Sequence, residues 1–303
     1  MGKYIVKRML LAVLTVFIIC AITFFSMHAI PGDPFLSEKA VSPQVRAALM
    51  ARFNLDKPLG AQFFLYMGNI LKGDWGISMK TGRDIWDTIS SRFAISAKLG
   101  LMAAAVAIIV GIVLGCTAAL NRNKLADRLI IFFTTLFTAL PSFVFGTLLL
   151  LIFCLQLQWV RVWQAGSNNY VLPVIALCAY PLAYITRLTK TSMLDALSQD
   201  YIRTARAKGV KQVWVVFKHA LRNALIPVVT YVGPMIAYIL TGSMVVENIF
   251  TIGGLGSQFV SSITNRDYTM IMGTTIFLAI LMVIANLITD IVYTVVDPRI
   301  RLE

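Results

Sequence analysis

Six stretches of the chain are uncharged and mostly apolar: Met9–Gly32, Leu99–Asn121, Leu129–Val160, Val162–Thr186, Asn223–Val246 and Tyr268–Thr289. Each exceeds the roughly 20 residues that a helix rising about 1.5 Å per residue needs to cross about 30 Å of hydrocarbon. A membrane barrel would show short segments of alternating polarity instead. The pattern predicts an all-α integral membrane protein with six transmembrane helices. The third run is longer than a crossing requires, and its tail, Gln156-Leu157-Gln158-Trp159, predicts an interfacial end. The first run is too long for the core of a signal peptide, and no small-residue cleavage site precedes Pro31, which predicts a retained helix.

Two segments between the runs carry patterns of their own. In Pro31–Ala94, Ser42-Pro43 predicts an N-cap and first helical position, with Val45, Ala48, Leu49 and Arg52 following. Phe64, Met67, Gly68 and Leu71 predict a second helical stripe, and Gly73-Asp74-Trp75-Gly76 a turn. The expectation is two short helices on the outer membrane surface, with no separate folded domain. In Arg187–Arg222, Met193, Leu197, Tyr201 and Ala205 form one stripe. After Gly209, Val213, Val216, Phe217, Ala220, Leu221 and Ala224 form another. A loop this long is functional or disordered more often than a plain connector, and its periodicity excludes disorder. Two amphipathic helices meeting at a glycine leave two readings open: a docking surface, or a basic helix lying on anionic lipid.

Charge orients the spans. Lys3, Lys7 and Arg8 precede the first run, and Arg122, Lys124 and Arg128 separate the second from the third. Arg187, Lys190, Arg203, Arg206, Lys208, Lys211, Lys218 and Arg222 separate the fourth from the fifth, and Arg299 and Arg301 close the chain. The short loops opposite hold only Arg161 and Arg266. Positive residues stay inside, so both termini are expected in the cytoplasm and Pro31–Ala94 outside. The net charge of +13 is thereby topological and implies no nucleic acid. Only 14% of residues are charged, 58% are hydrophobic, and the mean hydropathy is +0.78. A soluble chain carries about a quarter charged residues.

Several chemistries are missing. No G-x-x-x-x-G-K-[ST] is present, so the chain binds no nucleotide through a P-loop, and no H-E-x-x-H occurs. His28 and His219 fall on opposite sides of the membrane and cannot share a metal. Cys20, Cys116, Cys154 and Cys178 all lie in apolar runs without C-x-x-C spacing. The core of every span lacks the carboxylate of a proton relay, Asp290 coming closest near an inner end. No catalytic residue, metal or cofactor is expected. Pro141, Pro173, Pro181, Pro227 and Pro234 lie inside the membrane runs and predict kinks. Gly111-x-x-x-Gly115 predicts close helix packing, with a specific dimer contact as the narrower alternative.

The segment DYIRTARAKGVKQVWVVFKHALRNALIP, Asp200–Pro227, resembles the cytoplasmic coupling loop of ATP-binding-cassette importer permeases. More narrowly it is similar to the first permease subunit of the oligopeptide, dipeptide and nickel family. PGDPF after the first run, GDWGIS before the second, VENIF, GGLGSQFV and NRDY between the fifth and sixth, and DPRIRL at the end occur in that family's order and cover nearly the whole chain. The general loop pattern is E-A-A-x-x-x-G, with I-x-L-P following. Setting its glycine at Gly209 puts Arg203, Thr204 and Ala205 at the E-A-A positions, two of which depart from it. The stretch from Gly209 to Pro227 is also longer than the general pattern allows.

The resemblance implies a type I permease fold in a prokaryotic cell membrane. It divides the chain into an N-terminal helix with its external segment (1–94), a five-helix permease core (95–294) and a cytoplasmic tail (295–303). It implies a pore-forming subunit of an ATP-driven peptide importer, with nickel chelates or glutathione as alternative cargo. A carrier or channel working without ATPases is the rival class. The implied partners are a homologous second permease, two cytoplasmic ATP-binding subunits, an extracytoplasmic substrate-binding protein and membrane lipid. The ATPase-coupling residues would be Arg203, Thr204, Ala205, Arg206, Lys208 and Gly209. Small Thr204 and Ala205 would allow close packing on the ATPase. Arg203, Arg206 and Lys208 either pair with acidic groups there or simply follow the positive-inside rule. Glu247, Gly253, Gly254 and Gly256 would lie near an outer gate or the docked binding protein. The apolar, Gly-rich stretch 247–267 is either an external loop or a segment re-entering the membrane.

Overall fold

The computed structural model describes residues 2–31, 34–35, 42–164 and 169–296, which are helical almost throughout. Among them the only strand-like feature is an isolated bridge between Ile77 and Asp84. Parts of PGDPF, all of DPRIRL with Arg299 and Arg301, and most of the 295–303 tail lie outside the described residues. The chain packs as two compact units, Met1–Ile95 with Gly253–Val283 and Ser96–Ile252 with Ile284–Glu303.

In the first unit, α1 (Gly2–Ala29) turns Leu10, Val13, Leu14, Phe17, Ile18 and Ile22 outward. Cys20, Phe24 and Met27 pack inward against Phe63 and against Tyr268, Ile271 and Met272. Helix α2 (Pro43–Arg52) starts as expected: Ser42 Oγ accepts a hydrogen bond from Val45 N at 3.3 Å. Helix α3 (Leu59–Leu71) corrects its expected stripe, because Phe64 and Leu71 are exposed and Phe63 is buried. Two overlapping stripes pass through Met67. Burial against α1 selects the one formed by Phe63, Tyr66, Met67 and Ile70. The expected turn forms, with Gly73 at φ 84° and Gly76 at φ 74°, values that favour glycine.

Helix α4 (Ile85–Leu120) starts well before Leu99. It runs for 36 residues, about 54 Å at the helical rise. Asp87, Arg92 and Lys98 interrupt the uncharged run without interrupting the helix. Ile85 and Ile89 are wholly buried one turn apart, against Leu255 and Met270.

The third run is broken near its middle. Helix α5 (Leu125–Ala139) and helix α6 (Ser142–Leu149), the latter extended by a π-helical stretch over Leu150–Gln156, meet at 107°. Pro141 supplies no N–H, and the residue before a proline is driven out of the helical region. Leu140 accordingly sits at ψ 127°. Helix α7 (Val171–Ser198) begins later than Val162 and continues past Thr186 through the first third of the expected loop. After it come α8 (Asp200–Ala207), α9 (Gln212–Trp214), a π-helical stretch over Val215–Ala220 and α10 (Leu221–Ala224). Helix α11 (Ile226–Gly242) follows at a 51° bend. Of the five prolines in the membrane runs, only Pro141 and Pro227 lie at breaks; Pro181 and Pro234 are carried inside α7 and α11.

The stretch expected as a loop or a re-entrant segment contains two short helices, α12 (Met244–Ile249) and α13 (Leu255–Thr264), before α14 (Tyr268–Val296). Four helices are long and apolar enough to cross a membrane, and six crossings result if each bent pair counts as one. Gly111 and Gly115 of α4 lie directly on Ile185, Thr186 and Thr189 of α7, so this glycine pair serves packing within the chain.

Candidate functional site: the α7–α10 cytoplasmic assembly

Helix α8 is held by its apolar side. Ile202 and Ala205 pack with Met193, Ala196, Val215, Val216, Ala220 and Ala224. Ala205 is 7% exposed, so it faces the chain's own core and does not offer a surface to a partner. Arg203, Thr204, Arg206 and Lys208 point outward. Arg203 lies 3.6 Å from Asp200, both side chains widely exposed, a contact of little energetic weight in water. Thr204 Oγ1 donates to Asp200 O at 3.0 Å.

Gly209 ends the helix at φ 76°, the left-handed closing position that glycine fills. Gly209 N donates to Arg206 O at 2.9 Å and Val210 N to Ala205 O at 3.2 Å. A Cβ added at Gly209 would meet nothing within 4 Å. The requirement for glycine there is conformational and not steric.

The second stripe differs in part from the expectation. Val216, Ala220 and Ala224 are buried, but Val213 and Phe217 of the stripe are 64% and 63% exposed, as is Trp214 beside them at 59%. The π-helical geometry of Val215–Ala220 takes more residues per turn than an α-helix. It rotates Val215 onto the packed face and Val213 and Phe217 off it. Tyr201 also lies outside, its hydroxyl accepting from Asn223 Nδ2 at 3.0 Å. The resulting surface combines basic and apolar side chains.

The base of this assembly rests on groups that sequence reasoning did not single out. Lys190 pairs with Asp127 at 2.6 Å. Arg187 Nη2 donates to Thr134 O at 3.2 Å and also to Thr138 Oγ1. Two loop charges of the sequence reading thus pin α7 to α5. Asp127 is the one acidic residue among Arg122, Lys124 and Arg128, and that isolation was the available signal.

The outer candidates fall into different units. Glu247, in the second, is wholly buried and accepts hydrogen bonds from Ser96 Oγ at 2.7 Å and from Ser243 Oγ. Gly253, in the first, accepts from Arg92 Nη1 at 2.8 Å through its carbonyl. Gly254 caps the start of α13, and Gly256 is buried in its first turn. Nearby, buried Asp267 accepts from Ser78 Oγ and from Met79 N at 3.1 Å, tying the external segment to the start of α14. Ser78 and Asp267 fall inside the GDWGIS and NRDY motifs without a role having been read for them, and Arg92 was not singled out. Among the described residues no cluster of His, Cys, Asp or Glu suits a metal ion.

These features define a polytopic, all-helical membrane protein whose α7–α10 assembly presents basic and apolar side chains on its free side. The family described as "Binding-protein-dependent transport system inner membrane component" matches residues 111–302, and its N-terminal companion matches residues 1–100. The oligopeptide transport system permease protein OppB of Haemophilus influenzae is 43% identical, with 99% of this chain and 100% of that protein covered. The dipeptide transport system permease protein DppB of Bacillus subtilis is 42% identical over 100% of this chain and 99% of that protein. Among solved structures, an amino acid ABC transporter crystallised with histidines superposes with a TM-score of 0.55 at 16% identity, covering 68% of this chain and 93% of that one. The chain belongs to the family of binding-protein-dependent transport system inner membrane components. It is a multi-pass cell-membrane subunit of a transport system, with the ABC permease fold and no enzymatic role of its own.

Proposed function

We propose that this chain is one of two pore-forming subunits of an ATP-driven peptide importer. Its partners in this reading are a homologous permease, two cytoplasmic ATPases and an extracytoplasmic peptide-binding protein. The observation that carries the reading is α8. It is a short helix clamped by Ile202 and Ala205 to the foot of α7, basic on its free side and closed by a left-handed Gly209. Relatives named for oligopeptide and dipeptide transport across their full lengths support the cargo class.

In this mechanism Arg203, Thr204, Arg206 and Lys208, with Trp214 and Phe217 beside them, form the face that the ATPase grips. Closure of the ATPases on ATP displaces α8. Because α8 is packed against Met193 of α7, and α7 is tied to α5 through Lys190 and Arg187, the displacement reaches the helix break at Pro141. Glu247, Gly253, Gly254 and Gly256 are assigned to the outer side, near the binding protein.

Affinity purification of the tagged chain tests this. The expected result is stoichiometric ATPase subunits and ATP-dependent peptide uptake in proteoliposomes with the binding protein, both lost in Gly209→Asp. Full uptake and ATPase retention by Gly209→Asp would overturn the coupling assignment. Uptake by the chain alone without ATP would replace the importer with a secondary carrier.

A further inference from the structure

Exposed faces of the membrane helices are of two chemical kinds. On α1 they are hydrocarbon, with Leu10, Val13, Leu14 and Ile22 each more than half exposed. On α7 and α11 they include Tyr180, Tyr184 and Tyr238, exposed by 53%, 43% and 64%. Tyr180 is nine residues into α7, about 14 Å from its start and close to the middle of a hydrocarbon layer of about 30 Å. Tyrosines that face lipid gather at the interfaces, where the hydroxyl reaches water. Tyr180 aimed at hydrocarbon at that depth would hold its phenol away from water.

The tyrosines form one seam. Tyr180 and Tyr184 are one turn apart on α7, and Tyr184 stacks on Tyr231 of α11 with ring centroids 4.2 Å apart. The seam opens into a cavity of about 700 Å3 at the break between α5 and α6, lined by Thr138, Ser142, Tyr180, Tyr231 and Tyr238 among apolar groups. No charged side chain lines it. Pro141 leaves the Phe137 carbonyl without its usual helical donor, and irregular backbone at membrane depth belongs where it lines a cavity. At the inner end, Arg187 binds the hydroxyl of the lining residue Thr138.

We propose that the seam Tyr180–Tyr184–Tyr231–Tyr238 is this chain's wall of the translocation pathway, and that its neutral hydroxyls hold a passing peptide by the backbone amides. Phenolic hydroxyls both donate and accept, matching the N–H and C=O that every peptide carries. The uncharged lining sets no preference for the sign of the cargo's side chains, and the volume falls within the range of about 300–1,000 Å3 typical of enclosed ligand sites. The peptide as occupant rests on the function proposed above; the wall itself does not.

The test uses the full transporter in nanodiscs, with the chain's four free cysteines replaced by alanine. Single variants Tyr180→Cys, Tyr238→Cys and, as a lipid-facing reference, Leu14→Cys are labelled with a membrane-impermeant maleimide. Expected is labelling at least tenfold faster at 180 and 238 than at 14, slowed severalfold by saturating trialanine with the binding protein. Labelling at 180 and 238 as slow as at 14 overturns the wall. Fast labelling that trialanine leaves untouched, in a complex that does import trialanine, overturns the peptide contact. Fast labelling in a complex that imports no peptide keeps the wall and discards the proposed cargo. The double variant Tyr180→Phe, Tyr238→Phe keeps both rings; uptake falls about tenfold at unchanged complex yield, and unaltered uptake would refute holding by hydroxyls.

Discussion

Lys190 Nζ lies 2.6 Å from Asp127 Oδ1, where the two side chains are 20% and 6% exposed. The carboxylate also accepts from Asn123 N at 2.9 Å, so it holds the turn between α4 and α5 against α7. Removing either partner strands the other charge in a poorly hydrated site, which costs about 3–5 kcal/mol for a fully buried pair. Lys190 reaches solvent in part, so about 2–3 kcal/mol is expected. Asp127→Asn and Lys190→Met should each lower the melting temperature of the purified complex. Asp127→Leu combined with Lys190→Met should recover much of the loss. A double variant as unstable as the sum of the singles would show that the two residues act independently.

Gly115 belongs to the closest approach between α4 and α7. An added Cβ would lie 2.5 Å from Thr189 Cβ and 2.7 Å from the Thr186 carbonyl oxygen. Neither atom is the free end of a flexible side chain, so the helices themselves would have to part. Gly111 is less tight, its Cβ falling 2.8 Å from Ile185 Cγ2. Overpacking of this kind costs about 1–3 kcal/mol. Gly115→Ala is expected at the upper end and Gly111→Ala below it, read as the loss of properly folded chain by fluorescence-detected size exclusion after heating. Equal tolerance of both would contradict the packing.

How far the sequence reached depends on which force decided each feature. Hydrocarbon length located the four unbroken candidate spans and the two bent pairs, and the glycine in DYIRTARAKG located the end of α8. The bends were out of reach. Five prolines look alike in sequence, yet Pro181 and Pro234 ride inside helices while Pro141 accompanies a 107° break. Neighbouring helices, absent from any local pattern, decide which kink opens. The extent of α4 was missed because Lys98, with Arg92 and Asp87 before it, ends an uncharged run without ending a helix. Val213 was assigned to the wrong face, and the coupling role given to Ala205 competed with the apolar stripe that it shares with Met193. Ala205 suits a close contact with a partner or with the chain's own core equally well. At Val213, a π-helical stretch shifts the phase that a 3.6-residue period assumes. Tertiary pairs such as Asp127 with Lys190 leave no trace in spacing.

Glu247 carries a carboxylate at 0% exposure, bound by hydroxyls from α4 and from the start of α12. Its Oε1 accepts from both serines and so joins segments 151 residues apart. Glu247→Gln with its carbonyl oxygen in the Oε1 position keeps both serine bonds and turns the amide toward the Oε2 side. Glu247→Ala leaves both serines facing a void and should cost about 2–4 kcal/mol more than the Gln variant. The expected order in thermal unfolding is wild type, then Gln, then Ala well below. Ser96→Ala should resemble Gln. An Ala variant as stable as wild type would mean that the buried carboxylate does not organise this corner.

Tyr66 of α3 offers a pH-dependent test outside the membrane spans. Its hydroxyl is buried with no hydrogen-bond partner among the described residues. Burial pushes its ionisation well above the ordinary tyrosine value, and the charges of Cys20, Asp267 and Asp74 push the same way. The sign follows from proton counts. Below about pH 10 the phenol is neutral in both folded and unfolded chains, and stability is independent of it. Above about pH 10 the unfolded chain loses the proton and the folded one keeps it. Stability therefore falls as pH rises toward the raised folded value. Tyr66→Phe removes that slope. At pH 8 the variant should match or slightly exceed wild type, since it deletes a buried unpaired hydroxyl that costs up to about 1 kcal/mol. Between pH 10 and 11 its advantage should widen, while the other nine tyrosines contribute equally to both proteins and cancel. Melting curves that stay parallel from pH 8 to pH 11 would show that the Tyr66 hydroxyl reaches water in the folded chain.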